Sequence, residues 1–484
     1  MRTLVWFRGK DLRVADHAPL ASALATGEFV PLFVLDTHFF APERARELPN
    51  RIQFLLDSLS SLAQNLEHAG SRLVVVRGRS VELVPRIAAS LGAERVVAQR
   101  WSEPFARLRD QRIAEALDRA QIRFELFEGE TLIAPGTVRT GQGGVFSVFT
   151  PFARAVDKLL PELGEPLRAP KKLPALPASL GLDEVPIPSM AELGLEENPL
   201  VLRGGERAAR ARLEAFVKGP LSSYASDRDR MDVEGTSRLS ADLKFGTLSI
   251  RAAYLRAKSA EARGEAPPEQ VQKFTSELLW REFAYHTLFD RPELLERPFR
   301  RAFEGFPWRD DEAGWMAWVE GKTGYPVVDA AARQLLAEGY VHNRARMIAA
   351  SFLTKHLMID FRRGEAHYMR HLVDGDWASN DLGWQWSAGS GCDAQPYFRI
   401  FNPISQGERF DPEGGYVRRW VPELAKLPAK WIHQPFEAPA QVLAQAGVKL
   451  GVDYPRPIVV LGEGRDRFLA AAKAHFGSDK PPEP

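Results

Sequence analysis

The sequence predicts an α/β domain with a Rossmann-like, doubly wound parallel sheet, then a long linker, then an all-α domain. Three observations carry this fold class. Short β-rich runs alternate with amphipathic helical stretches over residues 3–129, proline and leucine without periodicity fill 164–200, and helical patterns recur after about 206 with no convincing strand between them. A chain of 484 residues is long enough for two or three units, each with its own core.

The runs at 4–7, 29–35, 72–76, 95–98 and 124–127 are rich in Val, Leu and Phe, as strands buried on both faces must be. Stretches at 50–67, 81–91 and 103–120 carry apolar residues at helical spacing, and right-handed crossovers join such elements into a parallel sheet covered by helices. The loop after the first run reads Phe7-Arg-Gly-Lys-Asp-Leu-Arg13 and lacks G-x-G-x-x-G, so no NAD-type dinucleotide site is expected there. Segment 169–177, Ala-Pro-Lys-Lys-Leu-Pro-Ala-Leu-Pro, reads as linker wrapped on the surface. Amphipathic stretches at 206–217, 249–263, 270–289, 328–338, 342–360 and 364–373 build the all-α part. The expected boundaries are 1–130 for the α/β domain, 131–205 for the linker, 206–475 for the helical domain and 476–484 for a tail.

Composition removes several function classes. Hydrophobic residues at 45% and charged residues at 26% are the balance of a folded, water-soluble chain, and no apolar run approaches the roughly 18 residues of a membrane span. The first residues pass straight into a strand-like run with no export signal, so a cytoplasmic protein is expected, and a monomer is expected as well. The single cysteine, Cys392, excludes an internal disulfide and any cysteine-ligated zinc or four-cysteine iron–sulfur site. A net charge of +1 means that a nucleic-acid partner must be met by a local patch. Of eleven tryptophans, only Trp6 and Trp101 precede Trp280, which marks the C-terminal half as a candidate stacking or redox surface.

Four segments concentrate polar chemistry. In Glu234-Gly-Thr-Ser-Arg-Leu-Ser240, glycine, hydroxyls and an arginine precede a helix, where backbone N–H groups cradle phosphates. Glu277, Trp280 and Arg281 share a helix face at i, i+3 and i+4. Asn343, Arg346 and Met347 do the same, with Arg344 about 100° away. Residues 374–386, Asp-Gly-Asp-Trp-Ala-Ser-Asn-Asp-Leu-Gly-Trp-Gln-Trp, combine carboxylates, amides and indoles that are costly to bury without partners, which a polar cofactor would supply. Other motifs fail. Gly321-Lys-Thr lacks the opening glycine of a Walker loop, where Met316 stands. His367 and His371 have zinc spacing, but Tyr368 replaces the required glutamate and two solvated helix histidines are expected. No G-x-S-x-G occurs and no metal site is expected.

Taken together, these segments resemble the photolyase/cryptochrome family, bacterial class I cyclobutane pyrimidine dimer photolyases above all. The resemblance runs from Leu4-Val-Trp-Phe-Arg8 through Phe401-Asn-Pro403 and includes Trp280-Arg-Glu-Phe283 and His342-Asn-Arg-Ala-Arg-Met347. It implies FAD in the helical domain, with Tyr224, Thr236, Ser237, Arg238, Leu239 and Ser240 on the diphosphate. Asp374 and Asp376 would bond the flavin and ribose side, Arg346 would pair with Asp374, and Asn380 would face flavin N5. The implied activity is light-driven repair of cyclobutane pyrimidine dimers in ultraviolet-damaged DNA, by electron transfer from photoexcited reduced FAD to a flipped-out dimer. Trp280 and Trp386 would wall the dimer cavity, Glu277 would donate to a thymine carbonyl, Asn343 would bond a base, and Met347 would pack against the dimer. Arg281, Arg344 and Gln406 match positions near the DNA backbone. The alternative is a cryptochrome-type blue-light receptor without repair activity. Such receptors lose the lesion-contacting residues, all present here. In (6-4) photolyases a histidine stands on the helix that here carries Asn343 and Met347, and neither position is histidine.

Two further expectations follow from the resemblance. The family's three-tryptophan electron relay maps to Trp384, position 361 and Trp308, and Phe361 stands in the middle, which should slow photoreduction unless Trp377 provides a detour. Residues 103–110, Glu-Pro-Phe-Ala-Arg-Leu-Arg-Asp, are similar to relatives that bind 8-hydroxy-5-deazaflavin or FMN as an antenna. Methenyltetrahydrofolate is disfavoured because Phe105 and Ala106 replace an Asn-Glu pair.

Overall fold

The computed structural model describes residues 1–394 and 396–477, so 478–484, most of the expected tail, lie outside the described residues. The chain forms two compact units, Met1–Ser222 with Ser237–Pro292, and Ser223–Thr236 with the residues from Glu293 onward.

In the first unit, strands β1 (Thr3–Phe7), β2 (Phe29–Asp36), β3 (Val74–Gly78), β4 (Arg95–Gln99) and β5 (Arg123–Phe127) form one parallel sheet. Their order is β3-β2-β1-β4-β5, and Leu4 of β1 lies opposite both Val30 and Val96. Leu4, Trp6, Val30, Leu32, Val74 and Val96 share one buried cluster, the reason these runs read as nearly continuous apolar stretches. Helices Ala18–Leu24, Pro49–His68, Ser80–Ser90 and Pro104–Arg119 supply the crossovers. Strand order reverses at β1 and β4, which opens the crevice beyond their carboxyl ends where doubly wound sheets bind ligands.

The stretch 131–205 is not all linker. It contains the helix Phe149–Asp157, nine residues with Phe152 and Val156 buried, too short for a periodicity window of 11–18 residues to register. Beyond it, 164–200 is tied to the end of the helix Pro49–His68 by Leu173 N–H donating to Ala69 O (2.6 Å), and to the sheet by Val185 N–H donating to Val75 O (2.9 Å) with Arg72 paired to Glu184.

This unit also extends past residue 205, taking in the helices Glu206–Lys218, Ser240–Phe245, Ile250–Ala262 and Pro268–Asp290. The contacts responsible are long-range. Buried Glu206 accepts from Val14 N–H (2.9 Å) and Ala15 N–H (3.2 Å), Arg251 pairs with Asp16, and Gly246 lies against Lys10. Gly246 has φ +62°, and a Cβ there would fall 1.9 Å from the Lys10 carbonyl oxygen, so only glycine fits.

The second unit contains the helices Glu312–Val319, Pro326–Glu338, Asn343–Ser351, Phe361–His371, Trp377–Ala388, Pro403–Phe410, Gly415–Trp420 and Leu461–Phe476, and no β-strand among the described residues. Val328, Leu335, Ile348, Leu353, Phe361 and Trp384 belong to its core. The helix expected over 342–360 stops at Ser351 and widens into a π-type turn, Phe352–His356. Fully buried Lys355 on that turn donates to Ala388 O (2.9 Å) and Tyr397 O (3.0 Å), and burial pulls its ammonium down to about 7.

Candidate functional site

In the first unit, the end of the phosphate-type loop, Ser237 to Ser240, leads directly into a helix. Arg238 has φ +50° and Leu239 φ −87°, successive dihedrals of opposite hand like those of backbone turns that present N–H groups to anions. Leu239 N–H also donates to Ser237 Oγ (3.4 Å).

The helix Pro268–Asp290 carries Glu277, Trp280 and Arg281 on one face, as the spacing predicts. Glu277 has Lys273 Nζ at 3.6 Å, one helical turn away. Trp280 is half-buried, with Phe149 stacked parallel on it at 3.8 Å and Phe283 edge-on at 5.9 Å. Arg281 donates to Glu130 O (2.7 Å) and lies over the Tyr285 ring (4.1 Å), so it serves an internal anchor as well as any role at a DNA backbone. Neighbouring Glu282 is fully buried, accepts from Leu132 N–H (2.9 Å) and Ile133 N–H (3.2 Å), and is pushed up to about 7 by desolvation.

The second unit holds the remaining predicted residues. Tyr224 is buried under Arg228, and Gly235, next to Thr236, presses on Asp227, where a Cβ would lie 2.7 Å from the carbonyl oxygen. Asn343 is exposed and its Nδ2 reaches Met347 Sδ (3.7 Å), so the two predicted lesion contacts on this helix lie side by side. Arg344 pairs with Asp229 (2.8 Å) over the Phe410 ring. Arg346 grips Asp374 with Nη2 at 2.8 and 3.1 Å and is steadied by Nε on Val341 O (2.7 Å), which forms the expected pair. Asp376 caps the helix Trp377–Ala388 by accepting from Ser379 N–H (2.9 Å), a local duty on one of its oxygens. Asn380 donates through Nδ2 to Glu365 O (3.1 Å), an amide whose carbonyl oxygen can serve as an acceptor. Trp386 is half-buried with no ring stacked on it among the described residues, and Gln406 is half-buried on Pro403–Phe410.

Around Trp384 the rings diverge from the predicted relay. Phe361 meets Trp308 edge-on at 6.4 Å, whereas Trp384 meets Trp318 edge-on at 6.0 Å, and Trp318 stacks on half-buried Trp315 at 5.5 Å. Trp377 has no ring neighbour among the described residues. His367 is not solvated as expected. It packs edge-on against Trp315 and Trp318, and burial pulls its imidazole down to about 3.

Polar atoms near these residues are unsatisfied within the chain. The Nε2 of His342, the Nε of Arg344 and the hydroxyl of Tyr368 are buried without hydrogen-bond partners among the described residues. His342 caps its helix through Nδ1, which accepts from Arg344 N–H (3.2 Å). Burial pulls it down to about 4, so its proton sits on the orphaned Nε2. Such orphans fit a polar cofactor. At the sheet's switch point, Arg8 and Arg109 each lie within about 5 Å of both the Trp6 and Trp101 rings, and Arg8 Nη1 holds Asp110 at 2.7 Å. Arg8 Nε and Nη2 and Trp101 Nε1 have no hydrogen-bond partner among the described residues.

Comparison with known proteins bears on these features directly. Residues 3–174 match the family model described as DNA photolyase, and residues 274–474 match the FAD binding domain of DNA photolyase. A deoxyribodipyrimidine photo-lyase of Agrobacterium fabrum is 41% identical over 97% of both chains. The chain belongs to the DNA photolyase family. A second family member, a deoxyribodipyrimidine photo-lyase of Thermus thermophilus, is 40% identical over 97% of this chain and 98% of its own. Among solved structures, a bacterial class III photolyase from Agrobacterium tumefaciens superimposes with a TM-score of 0.92 at 40% identity, covering 99% of this chain and 98% of that one. It is a class III enzyme, where the sequence resemblance pointed to class I. A Synechocystis cryptochrome matches with a TM-score of 0.88 at 32% identity, covering 98% and 99%. Among the described residues no helix is long and apolar enough to cross a membrane, and no group of three or more His, Cys, Asp or Glu could hold a metal.

Phe149, Trp315, Trp318 and Glu365 join the candidate residues only in the structure. Trp315 and Trp318 had a signal in their i, i+3 spacing. The others had none, because their partners lie on distant segments.

Proposed function

We infer that this protein is a deoxyribodipyrimidine photo-lyase, in which reduced FAD excited by light supplies an electron to a cyclobutane pyrimidine dimer flipped out of ultraviolet-damaged DNA. The observation that carries the inference is the intact set Glu277, Trp280, Asn343 and Met347 in a chain 41% identical to a photo-lyase over 97% of its length. Tyr224, Thr236, Ser237, Arg238, Leu239 and Ser240 hold the cofactor's diphosphate. Arg346 fixes Asp374, and Asp374, Asp376 and Asn380 hold the flavin and ribose side. The flipped lesion costs less unstacking than an intact step, so damage contributes to its own selection. Trp280 and Trp386 provide stacking faces, in comparable sites worth roughly 1–3 kcal/mol per base. Glu277 offers its proton to a thymine carbonyl, Asn343 bonds the base edge, and Met347 supplies a polarizable contact. Arg344 and Gln406 meet the DNA backbone, where charge gives salt-sensitive affinity without sequence choice. The enzyme works as a cytoplasmic monomer.

The test is repair of a dimer-bearing oligonucleotide, with reduced FAD, in blue or near-ultraviolet light and in darkness. Light-dependent loss of dimers is expected, and equal dimer content in both would instead favour the cryptochrome-type receptor, the reading to which the Synechocystis relative points.

An antenna chromophore, 8-hydroxy-5-deazaflavin or FMN in preference to methenyltetrahydrofolate, completes the reading. The unpartnered Arg8 and Trp101 donors at the switch point support a ligand rich in acceptors. An archaeal photolyase from Sulfolobus tokodaii, 29% identical with a TM-score of 0.81, is described as holding two FAD molecules. Reconstituted protein should retain deazaflavin or FMN through gel filtration, and retention of the folate alone would overturn this choice.

A further inference from the structure

The ring contacts of Trp280 point to a residue that no motif marks. Phe149 lies parallel to the indole, centroids 3.8 Å apart and planes within 8°, so one face of Trp280 is covered. Phe283 meets Trp280 at 72° and Phe149 at 66°, and Phe152 stands behind Phe283 at 5.1 Å, so the pair is braced along its edges. No ring lies on the second face of Trp280 among the described residues. Ordinary core packing would bury both rings, yet both are half-buried. Phe149 also opens its helix directly after an exposed turn in which Val145 and Val148 are 41% and 42% exposed. The stack therefore stands at a partly accessible rim, with no ring on the second indole face among the described residues.

We propose that Phe149 is a positioning residue of the lesion-binding wall, backing Trp280 so that the open face of the indole is held ready to stack on a flipped dimer. The proposal rests on the photolyase reading. An unbacked tryptophan would lose rotamer freedom when it stacks on a base, and that ordering would be subtracted from the affinity. A ring fixed beforehand by Phe149 avoids the loss. The effect is confined to bases that leave the duplex, because only they reach the indole face, so damaged DNA should feel it and undamaged DNA should not.

The test uses the FAD-loaded protein in darkness, where no repair occurs, and measures the Kd for an oligonucleotide with one thymine dimer and for its undamaged twin. Phe149→Ala should weaken dimer binding roughly 3–10-fold and leave undamaged binding unchanged. Phe149→Leu, which keeps bulk without a flat face and guards against misfolding, should show the same loss, and Phe149→Trp should restore discrimination. Equal weakening on both DNAs, no weakening with Leu, or no rescue by Trp would overturn the proposal. A wild-type protein that binds both DNAs alike defeats the photolyase reading itself, a result distinct from any Phe149 outcome.

Discussion

The ring geometry around Trp384 predicts that Trp318, and not the position of Phe361, carries electrons to the flavin during photoreduction. A hole on Trp384 can pass to Trp318 at 6.0 Å and on to Trp315 at 5.5 Å, both steps between indoles and so nearly level in energy. The route through Phe361 is different, because a phenyl ring is far harder to oxidise. For a one-electron step each 59 mV uphill costs tenfold, so a gap of even ~300 mV would depress transfer about a hundred-thousand-fold. Half-buried Trp315 then meets the external reductant, with Arg363 over its ring at 4.4 Å. The assay follows the bleaching of oxidised flavin absorbance under blue light with a thiol reductant. Wild-type protein should photoreduce efficiently despite Phe361, and Phe361→Trp should add little. Trp318→Phe should slow the reaction by at least ~10-fold, the effect of a barrier raised by about 1.4 kcal/mol. Trp318 is buried and donates to Ala349 O (3.1 Å), so Trp315→Phe, at a half-buried site, gives the same reading with less risk to folding. Repair begun from chemically reduced protein should be unaffected in every variant, since that circuit runs only between cofactor and dimer. Wild-type rates in both Trp315→Phe and Trp318→Phe would refute the route.

Three other outcomes follow. Glu277→Gln should keep most dimer affinity and lose part of the repair quantum yield, because an amide donates more weakly than an acid as charge develops on the lesion; an unchanged yield with a lower melting temperature would reduce Glu277 to its pair with Lys273. Burial raises the carboxyls of Glu365 and Asp381, and the charge of Asp381 raises Glu365 further, so the native state keeps a proton that the unfolded chain releases, and stability should fall as pH rises from about 4 toward 8. Asp381→Asn should therefore raise the melting temperature more at pH 8 than at pH 5, and parallel wild-type and variant curves across that span would sink the idea. Arg346→Met strands Asp374 and should cost about 3–5 kcal/mol while releasing FAD on gel filtration; full retention of FAD would remove Arg346 from the cofactor site.

Much of the fold was legible because each strand of the sheet is a short apolar run set between amphipathic helices. Runs expected at 29–35 and 95–98 became Phe29–Asp36 and Arg95–Gln99. What composition did not reveal was where one compact unit stops. Glu206 reaches back to Val14 and Ala15, and Gly246 to Lys10, so helices that read as part of the second architecture join the first. The same limit appears in the expected helix 342–360, where the pattern is continuous but burial of Lys355 goes with a widened turn.

The candidate site divides along the same line. Glu277, Trp280 and Arg281, or Asn343, Arg346 and Met347, are grouped by one helix, and a period of 3.6 residues suffices to find them. Trp315 and Trp318 obey that rule too, so half of the electron route was present as spacing on Glu312–Val319. The other half depends on Trp384 lying against a second helix at Gly364, where a Cβ would fall 2.2 Å from the indole Cη2. A glycine inside Phe361–His371 lowers helix propensity, and its value becomes visible only when Trp384 fills the space it leaves. Trp377, on the same helix as Trp384 and nearer in sequence to Asp374 and Asp376, was the more obvious detour, yet it has no ring neighbour among the described residues. Proximity along the chain points to Trp377, whereas ring packing sets Trp318 against Trp384, in space that Gly364 leaves on a helix carrying no tryptophan itself.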